Sequence, residues 1–208
     1  MIGVMGSSRE EHAALAVPFG RWIAEQGFDL LTGGGGGVMT AVCRGFREVA
    51  ERSRLAPRDG SGPLGEREGY KACGVAVGIL PTGPPAGYPN PYVDVVIQTH
   101  LPKRGAEGAD ERSRNHINVL SADILVVLPG GPGTRTEVEL AARYGRPFIA
   151  YLGPNGAIAG LTREELPQVA VTLEEVKAFI GRAKNTQVEL KTDLRDLAPA
   201  GKSSMGKP

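Results

Sequence analysis

Short apolar runs that stop at glycine, proline or a polar turn constrain this chain more than any other feature. They occupy residues 2–6, 28–32, 73–81, 93–99, 123–131 and 146–153. Between them the apolar residues change to helical spacing, over 12–27, 38–52, 112–122 and 134–145, and once more over 172–184. Near-continuous apolar strands are buried on both faces, and strands that alternate with helices form a parallel sheet. The expected fold is therefore α/β: a doubly wound, mostly parallel, Rossmann-like sheet with helices on both faces. Ligands of such sheets bind at the carboxyl ends of the strands.

Several punctuation marks refine this reading. Pro18 interrupts the first helical segment, which predicts a kink or a late start there. Gly27 follows that helix as a closing glycine. Thr172 and Glu175 form a capping box for the last helix. Residues 53–70 are charged and rich in glycine, and read as an exposed insert. Residues 188–208 carry little apolar content and read as a disordered tail, leaving 1–187 as one domain.

Composition closes off several function classes. With 24 Lys+Arg against 23 Asp+Glu the net charge is +1, which argues against a nucleic-acid partner. The two cysteines, Cys43 and Cys73, lack metal-ligand spacing, and His12, His100 and His116 form no metal motif, so no metal site is expected. The N-terminus lacks a basic segment leading into a long apolar run, and no run reaches the roughly 18 residues of a membrane helix. A cytoplasmic protein with reduced thiols is expected.

Thirty glycines are many for 208 residues, and they cluster at predicted strand ends. One group is Gly6, Ser7 and Ser8; a second is Gly33, Gly34, Gly35, Gly36 and Gly37; a third is Pro129, Gly130, Gly131 and Gly133. A glycine turn that feeds a helix presents unpaired amides at the positive end of the helix dipole, which makes an anion site. The pattern is neither G-x-G-x-x-G, because position 38 is Val38, nor a P-loop. NAD binding and ATP hydrolysis are thus poorly supported.

The turn Gly6-Ser7-Ser8, the stretch TGGGGGVM ending at Met39, and PGGPGTRTE at 129–137 together resemble the LOG (Lonely Guy) family. Its motif P-G-G-x-G-T-x-x-E is matched by Pro129, Gly130, Gly131, Gly133, Thr134 and Glu137, and Arg114 stands where the family carries an arginine on the preceding helix. The resemblance covers roughly residues 2–153. It implies a nucleoside 5′-monophosphate phosphoribohydrolase that needs no cofactor and self-associates as a homodimer or larger. The chain departs from that pattern at Thr136, where a glutamate is usual, at Asn115, where a lysine is usual, and by one missing residue before Val38-Met39. In these departures it is similar to molybdenum-cofactor carrier proteins and to DprA-related proteins, which implies a bound nucleotide or molybdenum cofactor instead of turnover.

Cleavage of an N-glycosidic bond passes through an oxocarbenium-like state that a carboxylate stabilises, while a gripped phosphate holds the sugar in place. Glu137 is the candidate carboxylate, and Arg114 would orient the phosphate or hold Glu137. The plain alternative is that Thr134-Arg135-Thr136-Glu137 is a T-x-x-E capping box, with Glu137 in the first turn of its helix and ionised there. Ser7 and Ser8 read as phosphate donors or as helix caps. Asn90, in a Pro-Asn-Pro loop, reads as a ligand contact or a turn, and Asn115 and Thr136 are further candidates. Three functions stand at this stage: a phosphoribohydrolase, a carrier for a phosphorylated nucleotide or molybdenum cofactor, and a DNA-processing protein that the neutral charge disfavours.

Overall fold

A computed structural model of the chain describes residues 1–55 and 73–196. One sheet of seven strands runs through the molecule in the order β4-β3-β2-β1-β5-β6-β7. In chain order the strands are β1 (Ile2–Met5), β2 (Leu30–Thr32), β3 (Ala76–Leu80), β4 (Val95–Gln98), β5 (Ile124–Val127), β6 (Phe148–Tyr151) and β7 (Val169–Ala170). Every pairing is parallel. The helices are α1 (Ala13–Glu25), α2 (Val38–Leu55), α3 (Asn115–Ser121), α4 (Pro132–Arg143) and α5 (Leu173–Asp196). The order reverses between β1 and β5, so the crevice of this doubly wound sheet opens at the ends of those two strands.

Strand alternation sends side chains to two cores. Ile2, Val4, Ile124, Val126, Ile149 and Tyr151 join Phe19 and Ile23 of α1, Phe46 of α2 and Phe179 of α5. Met5, Leu125, Val127 and Ala150 join Val119 of α3 and Leu140 of α4 on the other face. Burying each large side chain stabilises the fold by roughly 1.5–3 kcal/mol, so both layers are firmly seated. α1 and α2 approach closely because Gly20 has no side chain: a Cβ there would stand 2.1 Å from the Val42 carbonyl oxygen.

The structure corrects several expectations. Pro18 sits inside α1, which starts on schedule at Ala13. Gly27 does close α1, with φ of 69°. β4 is not buried on both faces: it is an edge strand, and Val95, Val96 and Ile97 are all exposed. Its apolar sequence implied burial, but it pairs only with β3 and no described helix covers it. α2 continues through Leu55, so the expected insert loses its first three residues to the helix, and residues 56–70 of it lie outside the described residues. α5 runs on to Asp196, past residue 188, because no glycine or proline interrupts that stretch; residues 197–208 of the expected tail lie outside the described residues. β7 was not foreseen, since a two-residue strand carries no periodicity.

Candidate functional site

The strand order places one cavity of about 480 Å³ over the ends of β1 and β5. A cavity of that volume suits a nucleotide-sized ligand. Gly6, Ser7 and Ser8 line the cavity together with Gly131, Gly133 and Thr134, and Met39, Tyr88, Arg104, Arg114, Asn115 and Glu137 are also part of its wall.

The turn after β1 is pinned from both directions. Ser7 donates its amide to the Pro129 carbonyl at 3.0 Å and accepts from the Val38 amide at 2.9 Å, so it ties β5's turn to the start of α2. Its hydroxyl accepts the amides of Arg9 at 3.1 Å and Glu10 at 2.9 Å, a cap-like role. Gly130 admits this approach, since a Cβ there would sit 2.9 Å from the Ser7 nitrogen.

α4 begins at Pro132, two residues before the helix expected over 134–145. Its N-cap is Gly131, in an extended conformation, with no side-chain cap and with Pro132 in the first turn. The first helical amide to find a carbonyl is Arg135, which donates to Gly131 at 3.1 Å. First-turn amides have no intrahelical partner. Those of Gly133 and Thr134 belong to residues that line the cavity. This end therefore offers donors and partial positive charge without a side chain in the way.

The earlier start overturns the capping-box reading of Glu137. Counted from Pro132, Glu137 stands in the second turn, out of reach of that role. The Thr172–Glu175 box does form: Glu175 accepts the Thr172 amide at 2.8 Å and the Thr172 hydroxyl accepts the Glu175 amide at 3.4 Å. Glu137 is half-buried at the cavity wall, and desolvation pushes its carboxyl up to about 7 against the opposing pull of Arg114 and of the nearby Asn118 amide. The expected ionised first-turn glutamate is instead a group that exchanges its proton near neutrality, because burial outweighs the charge of Arg114.

Arg114 is buried at the start of α3. Its Nη1 donates to the carbonyls of Gly33 and Ile79, which fastens the ends of β2 and β3 together. Its guanidinium lies 5.9 Å from the Tyr88 ring centroid. Burial lowers its pKa while Glu137 opposes that shift. Arginine stays charged under any such shift. Arg114 thus holds the glycine loop and faces the cavity at once.

The first glycine stretch stands behind the wall. A side chain on Gly33 would strike the Arg114 guanidinium, and one on Gly35 would stand 2.0 Å from Cζ of Tyr88. Gly36 and Gly37 back onto Ser7 and Ser8. The Gly34 amide donates to Thr32 Oγ1 at 3.0 Å. Asn90 braces this loop: its amide nitrogen donates to the Gly34 carbonyl at 2.8 Å and its Nδ2 to the Gly35 carbonyl at 3.0 Å. Asn115 and Thr136 bond each other at 3.1 Å, and Thr136 also donates to the Gly133 carbonyl at 2.7 Å. Where charged side chains were usual, a neutral pair locks α3 to α4.

Sequence reasoning missed Tyr88, Arg104 and Asn118. Tyr88 and Arg104 sit in loops whose path no local pattern reveals. Asn118 had a faint signal, since it follows Arg114 by four residues and shares its helix face. Among the described residues, no group of three or more His, Cys, Asp or Glu side chains is placed to hold a metal ion, and no helix is long and apolar enough to cross a membrane.

Comparison with known proteins agrees with this architecture. A family model described as the SLOG cluster4 family matches residues 1–53 and 66–187. An uncharacterised protein of Archaeoglobus fulgidus is 31% identical over 172 residues, which cover 82% of this chain and 91% of that protein. The molybdenum cofactor binding protein of Rippkaea orientalis superposes with a TM-score of 0.59 at 28% identity, over 86% of this chain and 96% of its own. The molybdenum cofactor carrier protein of Chlamydomonas reinhardtii does so with a TM-score of 0.60 at 26% identity, over 88% and 97%.

Proposed function

The chain belongs to the SLOG cluster4 family, and from the cavity's geometry we propose that it binds a phosphorylated heterocyclic ligand as a carrier, with molybdenum cofactor as the first candidate. The observation that carries this reading is the start of α4, which opens into the cavity without a side-chain cap. A phosphate there would accept the Gly133 and Thr134 amides, and the Ser7-Ser8 turn would close over it. Tyr88 and Met39 supply a less polar wall for a planar ring. No cysteine or histidine lines the cavity, so a metal would be held by the ligand's own donors. Similarity to cofactor-binding and carrier proteins supports the same ligand class.

A second reading, hydrolysis of a nucleoside 5′-monophosphate to base and ribose 5-phosphate, is favoured by Glu137. Its carboxyl faces the cavity and its proton affinity, at about 7, suits a general base. One experiment separates the two. Purified protein is dialysed against AMP, GMP and molybdopterin, and the ligands are recovered and analysed. Bound ligand recovered intact supports the carrier; free base supports the hydrolase; neither retained ligand nor free base refutes both. Self-association through β4 belongs to the same proposal, because Val95, Val96 and Ile97 leave an apolar edge uncovered. Sedimentation of a Val96→Lys variant at the mass of the parent would refute that part.

A further inference from the structure

Three buried side-chain polar atoms lack a hydrogen-bond partner among the described residues: Nε of Arg114, and Nδ2 and Oδ1 of Asn118. Both residues lie on one face of α3, a single turn apart, where the Asn118 amide nitrogen donates to the Arg114 carbonyl at 2.9 Å. Asn118 is fully buried. Leaving an amide unpaired in a core is costly, and a leucine would fill the position without that cost. The same two residues are the ones that act on Glu137. Glu137 lines the cavity, whereas Asn118 is not among its lining residues and is near enough to Glu137 to act on its carboxyl.

We infer that Asn118 is a positioning residue, whose amide waits near Glu137 to hold its carboxyl in a fixed orientation toward the cavity in either protonation state. The chemistry of an amide fits this task. Nδ2 donates to a carboxylate and, after a rotation of the side chain, Oδ1 accepts from a carboxylic acid; the bond to the charged form is the stronger, so the amide favours the ionised carboxyl. Arg114 cannot do this, since it only donates and its Nη1 is committed to Gly33 and Ile79. The other charged and titratable groups around the pair are Arg104 and Tyr88, and both act through Arg114. The inference requires only the contact between Asn118 and Glu137, so it goes beyond either reading of the ligand.

The test is a carboxyl titration without ligand. Protein labelled with 13C at glutamate is followed by NMR across pH 5 to 9, and loss of one resonance in Glu137→Gln assigns the signal. Asn118→Leu removes a group that favours the ionised form, so the Glu137 midpoint should move up by about half to one pH unit. A folded variant with an unmoved midpoint overturns the inference. Should the leucine variant fail to fold, the parent protein decides: the Asn118 side-chain amide signals must shift with the Glu137 midpoint, and amide signals indifferent to it overturn the inference. Because no ligand is present, failure of the carrier or hydrolase reading leaves this outcome untouched.

Discussion

Replacing Glu137 with glutamine should stabilise the protein in mild alkali and leave it unchanged in acid. The carboxyl's proton affinity rises from 4.5 in the unfolded chain to about 7 in the fold. Between those values the folded state keeps a proton that the unfolded state has lost. Stability from this group is therefore complete below 4.5 and is lost as pH rises through about 7. A shift of about 2.5 units at about 1.36 kcal/mol each is worth about 3 kcal/mol. The pull of Arg114 is already contained in that figure, since it acts on the folded carboxylate. Glutamine has the shape of the neutral acid and does not titrate. Thermal melts of parent and variant should coincide near pH 4 and separate by roughly 6–12 °C at pH 8, given about 2–4 °C per kcal/mol for a chain of this size. A constant difference across that range, or a variant that melts lower at pH 8, would refute the argument that desolvation outweighs Arg114.

Other expectations follow from single contacts. Gly35→Ala should push the Tyr88 phenol off the loop and cost about 1–3 kcal/mol in a urea titration, with much of the loss recovered in a Gly35→Ala, Tyr88→Leu double variant. Tyr88→Leu alone should weaken AMP binding about tenfold by calorimetry and leave inorganic phosphate binding unchanged; equal losses would show that the ring does not lie on Tyr88. Gly20→Ala should lower the midpoint of urea unfolding, because its Cβ meets helix backbone that cannot move aside; an unchanged midpoint would refute the close packing of α1 on α2. Glu175 carries the opposite pH sign from Glu137: its amide hydrogen bonds hold its pKa below 4.5, so its contribution is present above that value and fades as pH falls, and Glu175→Gln should narrow the melting difference between pH 6 and pH 3.

The apolar runs with their intervening helical spacing determined the parallel doubly wound sheet, because strands buried on both faces admit few other arrangements. The motif at 129–137 likewise marked the turn that meets the cavity, since glycines before a helix announce exposed amides in local sequence. Which glycines face a ligand was decided by the tertiary structure. Tyr88, Asn90 and Arg114 come from distant segments to cover Gly33 and Gly35, and no spacing along the chain encodes that approach. β4 reads as a core strand by composition, yet its exposure depends on having a single neighbour. The role of Glu137 turned on the start of α4, whose N-cap is Gly131 and not Thr134, and on burial. T-x-x-E is the same string at Thr134 and at Thr172, but only the second starts a helix at its threonine. A capping box is a local hydrogen-bond pattern, whereas proton affinity near neutrality requires the water-excluding walls that the whole fold assembles.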